Sequence, residues 1–206
     1  INRVAYARAK KSGKTALHSY LQALRRVHIL NLNRTEQKAF WINLYNALTV
    51  AMVIEFYPIL SIRDINRAWD RKLIRLQGEM LSLNDIEHRI LRPIWRDPRI
   101  HYSINCAALG CPNIAQQAYT GRDLEVMLVR AARDYINHPR GVSIKENNLI
   151  LSKIFSWYAD DFGGQIGILD HLTRYSSSVL ETRLLLSEDI ADYVYNWKLN
   201  DTIEGR

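Results

Sequence analysis

A chain of 206 residues, 48% of them hydrophobic, can bury a core of its own; without low-complexity stretches or a repeat of fixed period it reads as one compact domain, neither disordered nor a solenoid. The net charge of +7 would suit an acidic partner if it lay on one face, but the cations, from Lys10, Lys11, Lys14, Arg25 and Arg26 to Arg89, Arg92, Arg96 and Arg99, run through several elements and predict a solvated, arginine-rich surface. With no aromatic RNA-binding signature and no zinc-finger spacing, nucleic acid is not an expected partner, whereas an acidic protein is one the charge allows.

Leu17, Leu21 and Leu24, followed by Ile29, recur at roughly helical spacing and predict an amphipathic helix after Lys14. Asn33 with Glu36 three residues on forms a capping-box pattern, so a second helix is expected from there to about Phe56, stopped by Tyr57-Pro58. Its apolar stretch "AFWINLYNALTVAMVIEF" carries Asn43, Asn46, Thr49 and Glu55, and its uncharged run is short for a bilayer crossing, so a buried core helix is expected and no transmembrane segment. Ser61 is placed to cap a short helix. Gln77-Gly78 between Leu73, Leu76 and Met80, Leu81, Leu83 reads as a hairpin turn.

Asn84 or Asp85 is expected to cap a helix carrying Ile86, Ile90 and Leu91 and halted around Pro93. "RIHYSIN" reads as a strand from its Ile and Tyr content; Asn105 would then cap a single helical turn opening on Cys106 and ending at Gly110, with Cys111 capping a further helix started by Pro112. A helix over 123–136, a hairpin over 141–152 turning at Glu146-Asn147-Asn148, a short aromatic helix closed by Gly163-Gly164, and one or two helices over 168–199 complete the pattern. The class is α+β, predominantly helical with short antiparallel strands and hairpins.

Both cysteines lie in "HYSINCAALGCP". One Cys-x4-Cys pair without a second pair is a poor zinc set, even with His88, His101 and His138 in the chain, so no metal and no cofactor is expected. A Cys106–Cys111 disulfide is possible in an oxidising compartment. The remaining reading is nucleophilic. A capped helix start and a nearby imidazole, His101, would both lower the Cys106 thiol pKa, with Glu87 a candidate to orient the imidazole. Asn43 and Asn46, three apart on an apolar helix, are expected to pair with buried backbone, with lining of a substrate cleft as the lesser alternative. Trp41, Tyr45, Trp157 and Tyr158 are expected in the core.

Six motifs in order, "AFWINLYNALT", "SIRDI", "LSLNDIEHRILR", "RIHYSINCAALGCP", "LSKIFSWYADDFGG" and "YNWKLN", resemble the DUF547 family over about residues 36–200. That family is a domain of unknown function found in bacterial proteins and in plant proteins with an added coiled coil. The resemblance implies a rearranged papain-like cysteine-peptidase core with a Glu-His-Cys triad in that chain order. Residue by residue this makes Cys106 the nucleophile, His101 its general base and Glu87 the orienting residue, with Cys111 and His88 as alternates. The implied activity is a thiol-dependent hydrolase or acyltransferase acting on an amide or thioester of a peptide or small, glutathione-like thiol peptide. The alternative is a non-catalytic protein-interaction module with a structural Cys106–Cys111 bridge.

The expected organisation is a single domain over 1–201, helical over about 1–60 with the catalytic-type core over about 61–200. Residues 202–206 resemble a vector remnant, since Ile203-Glu204-Gly205-Arg206 matches a factor Xa recognition sequence. The opening Ile1 fits a signal-processed form and inclines the expected location to the bacterial periplasm or outside, and otherwise to the cytoplasm.

Overall fold

A computed structural model describes residues 1–146, 148–187 and 189–202. Most of the remnant expected at 202–206, and Asn147 of the expected 146–148 turn, lie outside the described residues. The architecture is α+β, mainly helical with short strands in two small sheets. The chain begins with helical turns at Tyr6–Arg8 (α1), a π-helical stretch at Ala9–Gly13 and the amphipathic helix Lys14–Arg25 (α2).

The Asn33 side chain accepts from the Thr35 and Glu36 amides while Glu36 returns a bond to the Asn33 amide, and this capping box opens Arg34–Phe56 (α3). α3 is apolar on nearly every face and runs through the core, with Ile42, Leu44, Met52 and Val53 almost wholly buried. By length and composition it is long enough to cross a membrane, contrary to the expectation from its uncharged run, but 72% of its most apolar window is buried inside this fold. Ser61 caps a short 3-10 turn at Ile62–Asp64. Strands Ile74–Leu76 (β1) and Glu79–Leu81 (β2) pair antiparallel around Gln77 and Gly78, both at positive φ as a tight hairpin turn requires.

Four local expectations change. First, the cap before Glu87 is Ser82: Ser82 Oγ accepts from the Asp85 amide and Asp85 Oδ2 accepts from the Ser82 amide. The turns that follow are π-helical over Asp85–Leu91 and continue through Pro93 into Arg92–Trp95 (α4), so the proline does not halt them. Second, "RIHYSIN" is not a strand. Asp97 accepts from the Arg99 amide and Pro98 takes the first position of a 3-10 helix, Pro98–Tyr102, so the Asp-Pro start signal overrides the β-preference of Ile100 and Tyr102. Third, Cys106 opens no helix and Cys111 caps none. The Asn105 side chain accepts from the Ala107 amide, turning the chain locally, and Ala107 adopts a left-handed φ of 60° that no helix continues. Fourth, the tail is not helical throughout. After Gly164–Tyr175 (α7) and Ser178–Leu185 (α8), Ile190–Val194 forms a strand.

That strand (β5) pairs parallel with Asn148–Ser152 (β4), which pairs antiparallel with Val142–Lys145 (β3). Leu124–Ile136 (α5) forms as expected, and Lys153–Trp157 (α6) is closed by Gly163 at φ 85° after a 3-10 turn at Ala159–Phe162. Two apolar clusters result. One surrounds α3; the other gathers Tyr102, Tyr135, Phe155 and Phe162 between α5, α7 and the sheet of β3, β4 and β5.

Candidate functional site

A cavity of about 240 Å³ opens where the two clusters meet, lined by Ile104 and Trp197 from one side and Ile154, Tyr158 and Tyr195 from the other. Glu87, His88, His101, Cys106 and Cys111 also line it, so the lining residues named here, spread over four segments of sequence, converge on one pocket.

The cysteine segment is held from a distance. Asn46 of α3 donates to the Ser103 carbonyl (2.8 Å) and accepts from the Asn105 amide (2.8 Å). The Leu109 amide donates to the Lys198 carbonyl and the Gly110 amide to the Asn196 carbonyl, laying residues 107–110 against the C-terminal stretch. Gly110 is needed there, because a Cβ would come within 2.9 Å of the Asn196 nitrogen and 3.0 Å of the Tyr195 ring. The Tyr135 hydroxyl donates to the Gly110 carbonyl (2.7 Å) from beneath.

Within this frame Cys106 and Cys111 are joined as a disulfide, with Cα atoms 6.2 Å apart. Cys106 is half-buried and Cys111 is 2% exposed, so Cys106 is the more exposed of the two cysteines. The Cys106 amide points at Cys111 Sγ (3.0 Å), and the Tyr195 hydroxyl lies 3.0 Å from Cys106 Sγ and 3.2 Å from Cys111 Sγ. Burial pushes the Tyr195 phenol well above its ordinary pKa, so it stays a neutral hydroxyl beside the sulfurs.

His101 is almost fully buried, its ring stacked on Tyr158 with centroids 3.9 Å apart. Its Nε2 pairs with Asp161 Oδ2 at 2.7 Å, and Arg92 grips the same carboxylate through Nε (2.6 Å) and Nη2 (3.0 Å). Burial pushes the Asp161 carboxyl up, but the bonds from His101 and Arg92 together outweigh it and hold the group well below the usual carboxylate range. Its bond to Asp161 in turn raises the Arg92 guanidinium pKa. Glu87, expected to orient the imidazole, is buried with its Oε1 4.0 Å from His101 Nδ1, and its Oε2 accepts from the Tyr45 hydroxyl (3.2 Å). The direct partner of His101 is therefore Asp161, with Glu87 on the other nitrogen's side.

His88 is exposed at the pocket rim, its Nδ1 2.6 Å from Arg92 Nη1. Asn43 and Asn46 do not line this pocket. Asn43 pairs with both the carbonyl and the amide of Tyr119, and Asn46 holds the cysteine segment as above, so both act on backbone. Tyr45 and Tyr158 line the pocket, and so does Trp157, which is 45% exposed rather than a core residue. Sequence reasoning gave no role to Asp161, Arg92 or Tyr195. The available signals were an acid pair, Asp160-Asp161, one residue after Trp157-Tyr158, and the aromatic run of "YVYNW".

A family model described as "Protein of unknown function, DUF547" matches residues 29–136, more than half of the chain. The chain belongs to the DUF547 family. The matched stretch holds Glu87, His101, Cys106 and Cys111 and stops short of Asp161 and Tyr195, so it ends earlier than the 36–200 span over which the motifs resemble the family. No curated protein and no solved structure matches the chain.

Proposed function

We propose that this DUF547 protein is a thiol-dependent hydrolase or acyltransferase with a rearranged papain-like core, acting on an amide or thioester of a peptide or small thiol peptide. The observation that carries the reading is the convergence of Cys106, His101 and Glu87 on one pocket, with the His101 ring fixed by Asp161 and Tyr158. Fixed orientation of an imidazole by a carboxylate is what nucleophile–base pairs require.

In this reading the bonded state of Cys106 is the resting, inactive one. Two equivalents of a small thiol reduce the Cys106–Cys111 bond, releasing both cysteines as thiols and leaving as a disulfide. Asp161 occupies Nε2, so Nδ1 is the nitrogen left to take the Cys106 proton. The thiolate attacks the substrate carbonyl, His101 returns the proton to the leaving amine or thiol, and water or an amine then resolves the thioester. No helix begins at Cys106, so no helix start offers its first amides to the developing oxyanion. The neutral Tyr195 hydroxyl beside Cys106 Sγ takes that role instead.

A second reading has a specific observation behind it: the sulfurs are bonded to each other, and among the described residues neither hydrogen-bonds His101. That fits the non-catalytic interaction module with a structural bridge. Iodoacetamide labelling across pH, with and without reduction and with each cysteine followed by peptide mass, separates the two. Thiol catalysis predicts that reduced Cys106 alkylates well below its unperturbed pKa of about 8.5 and loses this in His101→Ala. It also predicts that Cys111→Ser labels at Cys106 without any reductant. A Cys106 that titrates near about 8.5 regardless of His101 would leave the bridge as the better account.

A further inference from the structure

The charge of this protein is not spread as the element-by-element reading predicts. No Asp or Glu precedes Glu36, and from Glu36 onward carboxylates slightly outnumber Lys and Arg, so the whole excess of +7 resides in the residues before Glu36. Arg8, Lys10, Lys11, Lys14, Arg25 and Arg26 are all exposed. Among the described residues none of them forms an ion pair.

Their arrangement is also directional. Lys14, His18 and Arg25 stand four and seven residues apart along α2, which puts them on one face, with Lys11 in the π-helical turns just before it, while Leu17, Leu21 and Leu24 turn toward the core. Cations on neighbouring turns, with no carboxylate between them in the sequence, repel one another and create a local positive field that an anionic surface relieves.

Two exposed leucines lie close along the chain to cations of this N-terminal set, or to a partner of one, and decide between polyanions. Leu30, 86% exposed, lies four residues beyond Arg26; Leu60, 74% exposed, lies three residues beyond Tyr57, whose carbonyl accepts from Lys10. Phosphates of a nucleic acid gain nothing from a bare leucine. A bilayer takes up both kinds of group, phosphate headgroups pairing with the cations and the acyl boundary receiving apolar side chains.

We propose that the cationic face of α2 seats the protein on a membrane surface bearing anionic lipid, with Leu30 and Leu60 entering the headgroup–acyl boundary. The proposal is independent of the chemistry assigned to Cys106.

Co-sedimentation of the full chain with phosphatidylglycerol/phosphatidylcholine vesicles, against pure phosphatidylcholine vesicles, tests it. The expected result is binding to the anionic vesicles alone, weakening about fivefold for each charge removed in the series Lys11→Gln, Lys14→Gln and Arg25→Gln, and falling steeply with salt. Leu30→Ser, at a fully solvated position, is expected to weaken binding about tenfold without changing its salt dependence. Thermal melts of the variants matching the parent show that the exposed substitutions leave the fold intact. Three results would each overturn the proposal. These are equal binding to both kinds of vesicle, tight binding to a DNA duplex or an acidic protein without binding to anionic vesicles, and binding unaffected by Leu30→Ser, which would mark a general polyanion surface.

Discussion

α3 and the segment from Pro98 to Cys111 pack against each other but are held by opposite means. α3 is a regular ladder of main-chain bonds with one local cap, and its stability comes from burying side chains such as Ile42 and Val53. The cysteine segment has a single 3-10 turn, and beyond it the backbone is fixed by Asn46, by Tyr135, and by the carbonyls of Asn196 and Lys198. A helix tolerates loss of any one bond. A loop suspended from a few side chains does not, and what it gains is a backbone shaped freely enough to set two sulfurs beneath one tyrosine.

The sharpest way to break this contrast is at the joint itself. Asn46→Leu keeps the volume and helix propensity of α3 but strips partners from the Ser103 carbonyl and the Asn105 amide, both on buried residues. Two buried backbone groups left unpaired cost about 2–5 kcal/mol in all. Urea unfolding should show that loss, and labelling should show the disulfide of the folded fraction more readily reduced. An unchanged midpoint would mean that the segment is anchored elsewhere.

Acid tests the second joint. Asp97 caps the 3-10 turn that carries His101 and also binds Lys38 of α3 and Arg99. Burial pushes its carboxyl up, but bonds from Arg99 and Lys38 and their charges together hold it at about 2, below the ordinary value. A carboxyl depressed in the folded state contributes stability that is complete above its unfolded pKa of about 4 and is lost as pH falls through about 2. Over that window the parent should lose about 2 kcal/mol more than Asp97→Asn, which starts lower at neutral pH and shows the flatter profile. Parallel profiles in urea titrations at several pH values would remove Asp97 as the acid-sensitive tie.

The same contrast explains which parts of the fold were legible in the sequence. The capping box of α3, the Gln77-Gly78 hairpin and α5 depend on residues within a few positions of one another, and their patterns predicted them. Cys106, His101 and Glu87, singled out in the sequence, line one pocket, but their setting was not legible there. The partner that fixes the Asn105 amide lies 59 residues earlier, and the tyrosine that touches Cys106 lies 89 residues later. Asp161 is a similar case: a carboxylate in an acid pair has no local mark distinguishing it from a surface charge until the fold brings it 60 residues back to His101. The strand β5 escaped for the same reason, since its partner among the described residues, β4, lies some 40 residues earlier in the sequence. Asp97-Pro98 was a readable start signal that the β-preference of Ile100 and Tyr102 masked.

The smallest effect should come from the locally specified end of the comparison. Asn33→Ala removes the acceptor for two amides at the start of α3, where water replaces it, and should cost about 1 kcal/mol. Because the cap lies in the first turn and Asn46 three turns further on, the loss should appear in the unfolding midpoint alone, leaving the labelling of Cys106 as in the parent. A change in Cys106 labelling from so remote a substitution would mean that α3 and the cysteine segment move as one unit, and that the difference in how they are held has no consequence for the pocket between them.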